Sequence, residues 1–170
     1  MKKSIIVAIA LICSVMAFAQ NGGLKGINVG VGAPMEFSDL KAAGVNLHVG
    51  FDRAYPLSDE FALGFYISAG GGALWELRPQ YEYDNVFSMF MLSAGLLVEF
   101  GELDERPFLL GVGPCTGLGF LDMDMILPIE VRFGRVLSTH WYVMGELVYG
   151  HSLSGETIGL EPTIRLGYKF

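Results

Sequence analysis

Over the last fourteen residues, Thr157 to Phe170, apolar side chains occupy every second position. Ile158, Leu160, Pro162, Ile164, Leu166, Tyr168 and Phe170 alternate with Gly159, Glu161, Thr163, Arg165, Gly167 and Lys169. A period of two places the two sets on opposite faces of one β-strand, and no helix can sort them that way. Because the strand has an aromatic end and the chain opens with an export signal, the apolar face is read as meeting lipid rather than a protein core.

The opposite end of the chain supports that reading. Lys2 and Lys3 precede a mostly apolar stretch from Ile5 to Met16, and Ala17-Phe18-Ala19 is an A-x-A cleavage site. Residues 1–19 therefore read as a cleavable secretory signal, with a single domain over residues 20–170. The apolar stretch is short for a membrane anchor, which needs roughly 20 residues. Cys13 lies inside it after Ile12, so lipidation is not expected, and Cys115 remains as the one cysteine of the mature chain, unable to form an intrachain disulfide.

Without Lys2 and Lys3, nine basic residues face eighteen acidic ones, a formal charge of −9 that disfavours nucleic acid as a partner. The chain is 52% hydrophobic and only 17% charged, with 23 glycines and a mean hydropathy of +0.45. That is too apolar for an ordinary soluble domain. No run after Ala19 is long enough for a spanning helix, which leaves the other membrane solution, a closed barrel of strands.

Eight alternating segments are present. They run from Leu24 to Ala33, Gly44 to Asp52, Phe61 to Gly70, Phe87 to Phe100, Phe108 to Leu118, Ile126 to Arg135, Trp141 to Gly150 and Thr157 to Phe170. Each approaches the roughly 9 to 11 residues with which a tilted strand crosses a bilayer. The expected fold is thus all-β: an eight-stranded antiparallel up-and-down transmembrane β-barrel. With both termini on the periplasmic side, Phe51, Phe61, Phe100, Phe108, Phe133, Trp141 and Phe170 fall at one barrel end and all belong to the outward set. They predict an aromatic girdle, with a sparser one of Trp75, Phe87 and Tyr149 at the other end. A soluble lipocalin-like barrel also alternates, with its aliphatic set as the core.

With its export signal, eight strands, girdles and final Tyr168-Lys169-Phe170, the mature chain resembles the small eight-stranded outer-membrane β-barrels of Gram-negative-type bacteria, of the outer membrane protein A and X kind. The resemblance implies location in the cell outer membrane, outer-membrane lipid as surroundings, and an assembly signal read by the barrel assembly machinery. Leu166, Tyr168 and Phe170 match that signal, although Arg165 stands where a glycine is common.

Eight strands enclose an interior that side chains can fill. The inward set contains Glu99, Glu130, Glu146 and Glu161 with Arg132 and Arg165, expected to pair as a charge network that plugs the lumen. Inward glycines either make room for the arginines and for Tyr66 and Tyr142, or leave a narrow water path. The leading function is that of a structural or interaction protein of the cell envelope, with an envelope complex as a possible partner. No catalytic residue, cofactor or metal is expected; Asp122 and Asp124 alone are a weak cation signal.

Two alternatives remain. A narrow conduit for small molecules requires an apolar lumen, supported only by Met89, Met91 and Met144. Lipid A deacylases of similar size carry a histidine with a serine two residues later. Here His151-Ser152-Leu153-Ser154 puts Leu153 at the serine position.

Overall fold

In a computed structural model of the full chain, described over residues 23–37, 42–76, 86–118, 128–151 and 158–170, every regular element is a strand. The expected leader, residues 1–19, and most of the expected outer loops lie outside the described residues. The strands are β1 (Lys25–Gly32), β2 (Met35–Phe37), β3 (Ala42–Pro56), β4 (Phe61–Glu76), β5 (Val86–Phe100), β6 (Phe108–Leu118), β7 (Ile129–Val136), β8 (Trp141–His151) and β9 (Ile158–Lys169). All pairings are antiparallel and link consecutive staves, and β9 returns to β1 from Gly26↔Lys169 to Gly32↔Thr163. Closure removes the sheet edges that would otherwise leave backbone groups unpaired.

The nine strands make eight staves, because β1 and β2 both lie between β3 and β9 and form one interrupted stave. The interruption falls at Ala33-Pro34, where proline has no N–H to give the ladder. Pairing continues through it: Ala33 N–H donates to Pro162 O at 2.9 Å and Gly44 N–H to Pro34 O at 2.9 Å.

Alternation holds in the predicted phase on every stave. Along β1, Ile27, Val29 and Val31 are exposed while Gly26, Asn28, Gly30 and Gly32 are buried. Along β7, Ile129, Val131 and Phe133 face out while Glu130, Arg132 and Gly134 face in. The main departure is length. β3 and β4 stay paired from Asp52↔Tyr66 to Pro56↔Ala62 at one end and up to Ala42↔Glu76 at the other, beyond the expected limits of Asp52 and Gly70. Backbone hydrogen bonding needs no apolar alternation, so the hairpin outruns the pattern that reveals it.

The short turns lie at the end that holds both termini of the barrel, hereafter the terminal end; the opposite end is the loop end. Two of the turns repeat one design. Leu57 and Ser58 N–H both donate to Phe61 O at 2.8 and 3.1 Å, and Leu137 and Ser138 N–H donate to Trp141 O at 2.8 and 3.1 Å. At the same end, Phe61, Phe100 and Phe108 are register neighbours across three strands, and the rings of Phe100 and Phe108 stack at 5.6 Å. Trp141 meets Tyr168 edge-on at 5.3 Å. At the loop end Trp75 and Tyr149 are exposed outward; the Phe87 side chain lies outside those described.

Candidate functional site

The interior of the barrel is built in three levels, set by position along each strand. Toward the terminal end, Leu24, Ala54, Ala62, Leu97, Leu103, Leu109, Val136 and Met144 form an apolar cluster with Tyr66 and Tyr142. Toward the loop end, Ala42, Leu74, Met89, Met91, Cys115 and Val148 form a second. Between them lie the charges. The lumen read from sequence as charged therefore gathers both its arginines in the middle, with an apolar cluster on either side and single buried carboxylates, Glu99 and Glu161, beyond the arginines.

Arg132 on β7 is the centre of the middle level. Its Nε donates to Glu130 and lies 2.9 Å from Glu146 Oε2, its Nη1 donates to Asp52 Oδ1 at 3.3 Å, and its Nη2 donates to Ser68 Oγ at 2.8 Å. The guanidinium also sits 3.8 Å from the centre of the Tyr66 ring, whose π-face attracts a cation. Arg165 on β9 grips Glu146 with both Nε and Nη2, the latter at 2.9 Å, in the two-pronged geometry that suits guanidinium and carboxylate. Its Nη1 donates to Asn28 Oδ1 at 2.9 Å. Asp52 is held from two further sides, by Tyr142 O–H at 2.5 Å and Asn28 Nδ2 at 2.6 Å.

Four of the six predicted charged residues, Glu130, Arg132, Glu146 and Arg165, thus come together. The other two do not contact the arginines. Glu99 lies near the terminal end, where its Oε2 accepts the Leu24 N–H at 2.9 Å. Glu161 lies toward the loop end, where its Oε1 accepts from His48 Nε2 at 2.6 Å and Asn46 Nδ2 at 3.1 Å. Alternation assigns an inward residue to the lumen but not to a level, and carboxylates on different levels need different partners. Asp52, Asn28, Ser68 and Ser93 complete the middle level; their inward phase was the only sequence signal, since nothing local marks a residue that bonds across the barrel.

The glycines explain how so much fits. A Cβ on Gly167 would enter the Tyr142 ring, and one on Gly26 would stand 2.7 Å from the same ring; at Gly30 it would stand 2.7 Å from Arg165 Cγ. Each large inward side chain lies across glycines of neighbouring strands, the first of the two roles the sequence left open.

His151 ends β8 at the loop end, with its ring 6.0 Å from Tyr149; Ser152, Leu153, Ser154, Asp122 and Asp124 lie outside the described residues. Among the described residues no three His, Cys, Asp or Glu side chains gather to hold a metal. Leu166, Tyr168 and Phe170 project outward near the C-terminus. An open cavity of about 840 Å³ lies outside the lumen between the β5–β6 and β7–β8 turns, lined by Glu102, Arg106, Phe108 and Arg135 among others.

No protein-family model matches the chain, and no curated protein matches it. Solved structures do. Neisserial surface protein A aligns at a TM-score of 0.54 and 12% identity, over 89% of this chain and 100% of that one. The attachment invasion locus protein Ail of Yersinia pestis aligns at 0.52 and 14%, over 88% and 100%. The fold is that of the small outer-membrane β-barrels. The outer-membrane enzyme PagL has it too, at a TM-score of 0.50 and 13% identity over 85% and 99% of the two chains, so the architecture by itself does not decide between an enzyme and another role.

Proposed function

We propose that the protein is an integral outer-membrane barrel whose lumen is closed by its own side chains, and that it acts as a structural or interaction protein of the envelope rather than as a channel or enzyme. The observation that carries this reading is the middle level: Arg132, Arg165, Tyr66 and Tyr142 are fully buried, and hydrogen bonds from strands on all sides of the barrel converge on Arg132 and Asp52. The two apolar clusters on either side support the same closure. The outward face supports lipid as its surroundings, because its aliphatic side chains stand exposed between aromatic rows at the two ends.

Reconstitution of the mature protein in a planar bilayer tests the closure. Baseline current without stable single-channel steps is the expected result, and steps of porin size would overturn it. Cross-linking of the tagged protein in outer membranes, followed by mass spectrometry, tests the interaction role; reproducible envelope partners are expected. Mass spectrometry of lipid A from cells with and without the protein should show the same acyl-chain count.

Leu166, Tyr168 and Phe170 serve as the assembly signal in this reading, which their outward exposure supports. Phe170→Ser is expected to lower the amount inserted in cells while refolding into detergent proceeds as before; equal loss in both would assign Phe170 to stability alone.

A further inference from the structure

The outward run of β7 ends differently from those of its neighbours β6 and β8, which reach the terminal end in Phe108 and Trp141. Ile129, Val131 and Phe133 face out, and the next residue in that phase is Arg135, exposed on the same face. It stands in the aromatic row, paired with Phe108, which is paired in turn with Phe100. A cation thus sits at the girdle, where hydrocarbon gives way to the layer of lipid head groups.

An open cavity of about 840 Å³ lies beside it, within the roughly 300–1,000 Å³ of small-ligand sites. Its walls are the β5–β6 and β7–β8 turns, and backbone hydrogen bonds fix the first of them. Gly101 N–H donates to Glu60 O at 2.9 Å, Leu103 N–H to Asp59 O at 3.1 Å, and Val136 N–H to Pro107 O at 3.0 Å. The Leu103 side chain is buried in the inner apolar cluster. Gly101, at φ +101°, supplies the left-handed step that turns the chain out of β5. The cavity is therefore preformed, which lowers the cost of ordering on binding.

Its lining carries both signs of charge, Arg106 and Arg135 with Glu102 and Glu105. Arg135 is held by its Nε, which donates to Arg106 O at 3.1 Å, and by the Phe108 ring, 4.7 Å from its guanidinium carbon; its terminal nitrogens are further donors. Among the described residues neither guanidinium makes an ion pair. A simple anion would meet the two carboxylates as well as the arginines, whereas a ligand with a phosphate and an ammonium complements all four. Phe108 also joins the cavity to the outward apolar face, because its ring stacks between Phe100 at 5.6 Å and Phe133 at 6.1 Å.

We propose that this cavity binds the head group of one glycerophospholipid of the ethanolamine class. Arg106 and Arg135 take the phosphate, for which the planar guanidinium fork is suited, and Glu102 and Glu105 take the ammonium. The acyl chains lie along Phe108 and the exposed Leu110 and Val112 below it. A membrane lipid is the source rather than free phosphate, because the cavity continues into the apolar face. The inference rests on the outer-membrane reading given under the proposed function.

The test reconstitutes the full mature barrel in vesicles of phosphatidylethanolamine, phosphatidylglycerol and phosphatidylcholine in equal parts. Flotation after an alkaline wash reads membrane integration, and native mass spectrometry after extraction into mild detergent reads the lipids retained. One phosphatidylethanolamine per barrel is expected, in preference to the other two. Arg106→Gln with Arg135→Gln should lower its retention roughly tenfold or more. Glu102→Gln with Glu105→Gln should keep a bound lipid and abolish the preference for phosphatidylethanolamine over phosphatidylglycerol. Asp59→Asn with Glu60→Gln, on the neighbouring turn, should change neither. Displacement of the lipid by excess inorganic phosphate would make this a phosphate site and overturn the choice of a lipid. Flotation without preferential retention, or with retention that the double arginine variant leaves unchanged, would overturn the inference and leave the membrane reading standing. Loss of flotation by the wild-type barrel would overturn both.

Discussion

The two faces of β7 are opposite in both chemistry and exposure. Val131 and Phe133 stand 46% and 55% exposed on one side, while Glu130 and Arg132, between and beside them, are 1% and 0% exposed on the other. In water this pattern would be inside out. It becomes consistent when the outer face is solvated by hydrocarbon, where aliphatic exposure is favourable and every polar group must find its partner within the protein. The outward face is therefore tolerant of shape and intolerant of charge, and the inward face is the reverse.

Substitutions that cross that boundary measure the difference, and urea unfolding in lipid vesicles, followed by the fluorescence of Trp75 and Trp141, reads them all. Arg132→Ala should have the largest effect, a loss of about 3–5 kcal/mol, because Glu130, Glu146 and Asp52 would stay buried without their shared cation. A loss below about 1 kcal/mol would mean that the middle level is hydrated. Val131→Arg puts a comparable charge on the lipid face and should cost about 2–4 kcal/mol. Were it neutral, the outer face would not be in hydrocarbon.

Gly167→Ala sharpens the account of the inward face. The added methyl must displace the Tyr142 ring, so a loss of about 1–3 kcal/mol is expected, and the loss should shrink when Tyr142→Ala is made as well. The smallest effect is expected at the terminal rim. Arg135 is exposed, lies over the Phe108 ring at 4.7 Å and donates to Arg106 O at 3.1 Å, and Arg135→Ala should stay within about 0.5 kcal/mol.

Much of this was legible in the residues. The alternation of Ile158 to Phe170, repeated in seven other segments, set the stave count and the phase of each, since a period of two leaves no freedom over which face a side chain joins. The position of Phe61, Phe100 and Phe108 at strand ends marked the girdle before the register showed them side by side. The split of β1 from β2 at Pro34 was not legible, because the alternation runs only to Ala33 and the residues from Pro34 onward read as loop. Nor were the extensions of β3 and β4 toward Ala42 and Glu76, where hydrogen bonding continues without an apolar signature.

Which side chains face outward and which face the lumen is written in the residues, because that choice is local and follows from the pleat of each strand. Which inward side chains meet depends on the folded barrel. Arg165 reaches Asn28 and Ser68 from more than ninety residues away, while Glu99 and Glu161, equally inward, never join it. Those distances depend on the stagger between strands and on closure of the sheet, quantities that pairing of the whole barrel fixes and no single segment contains.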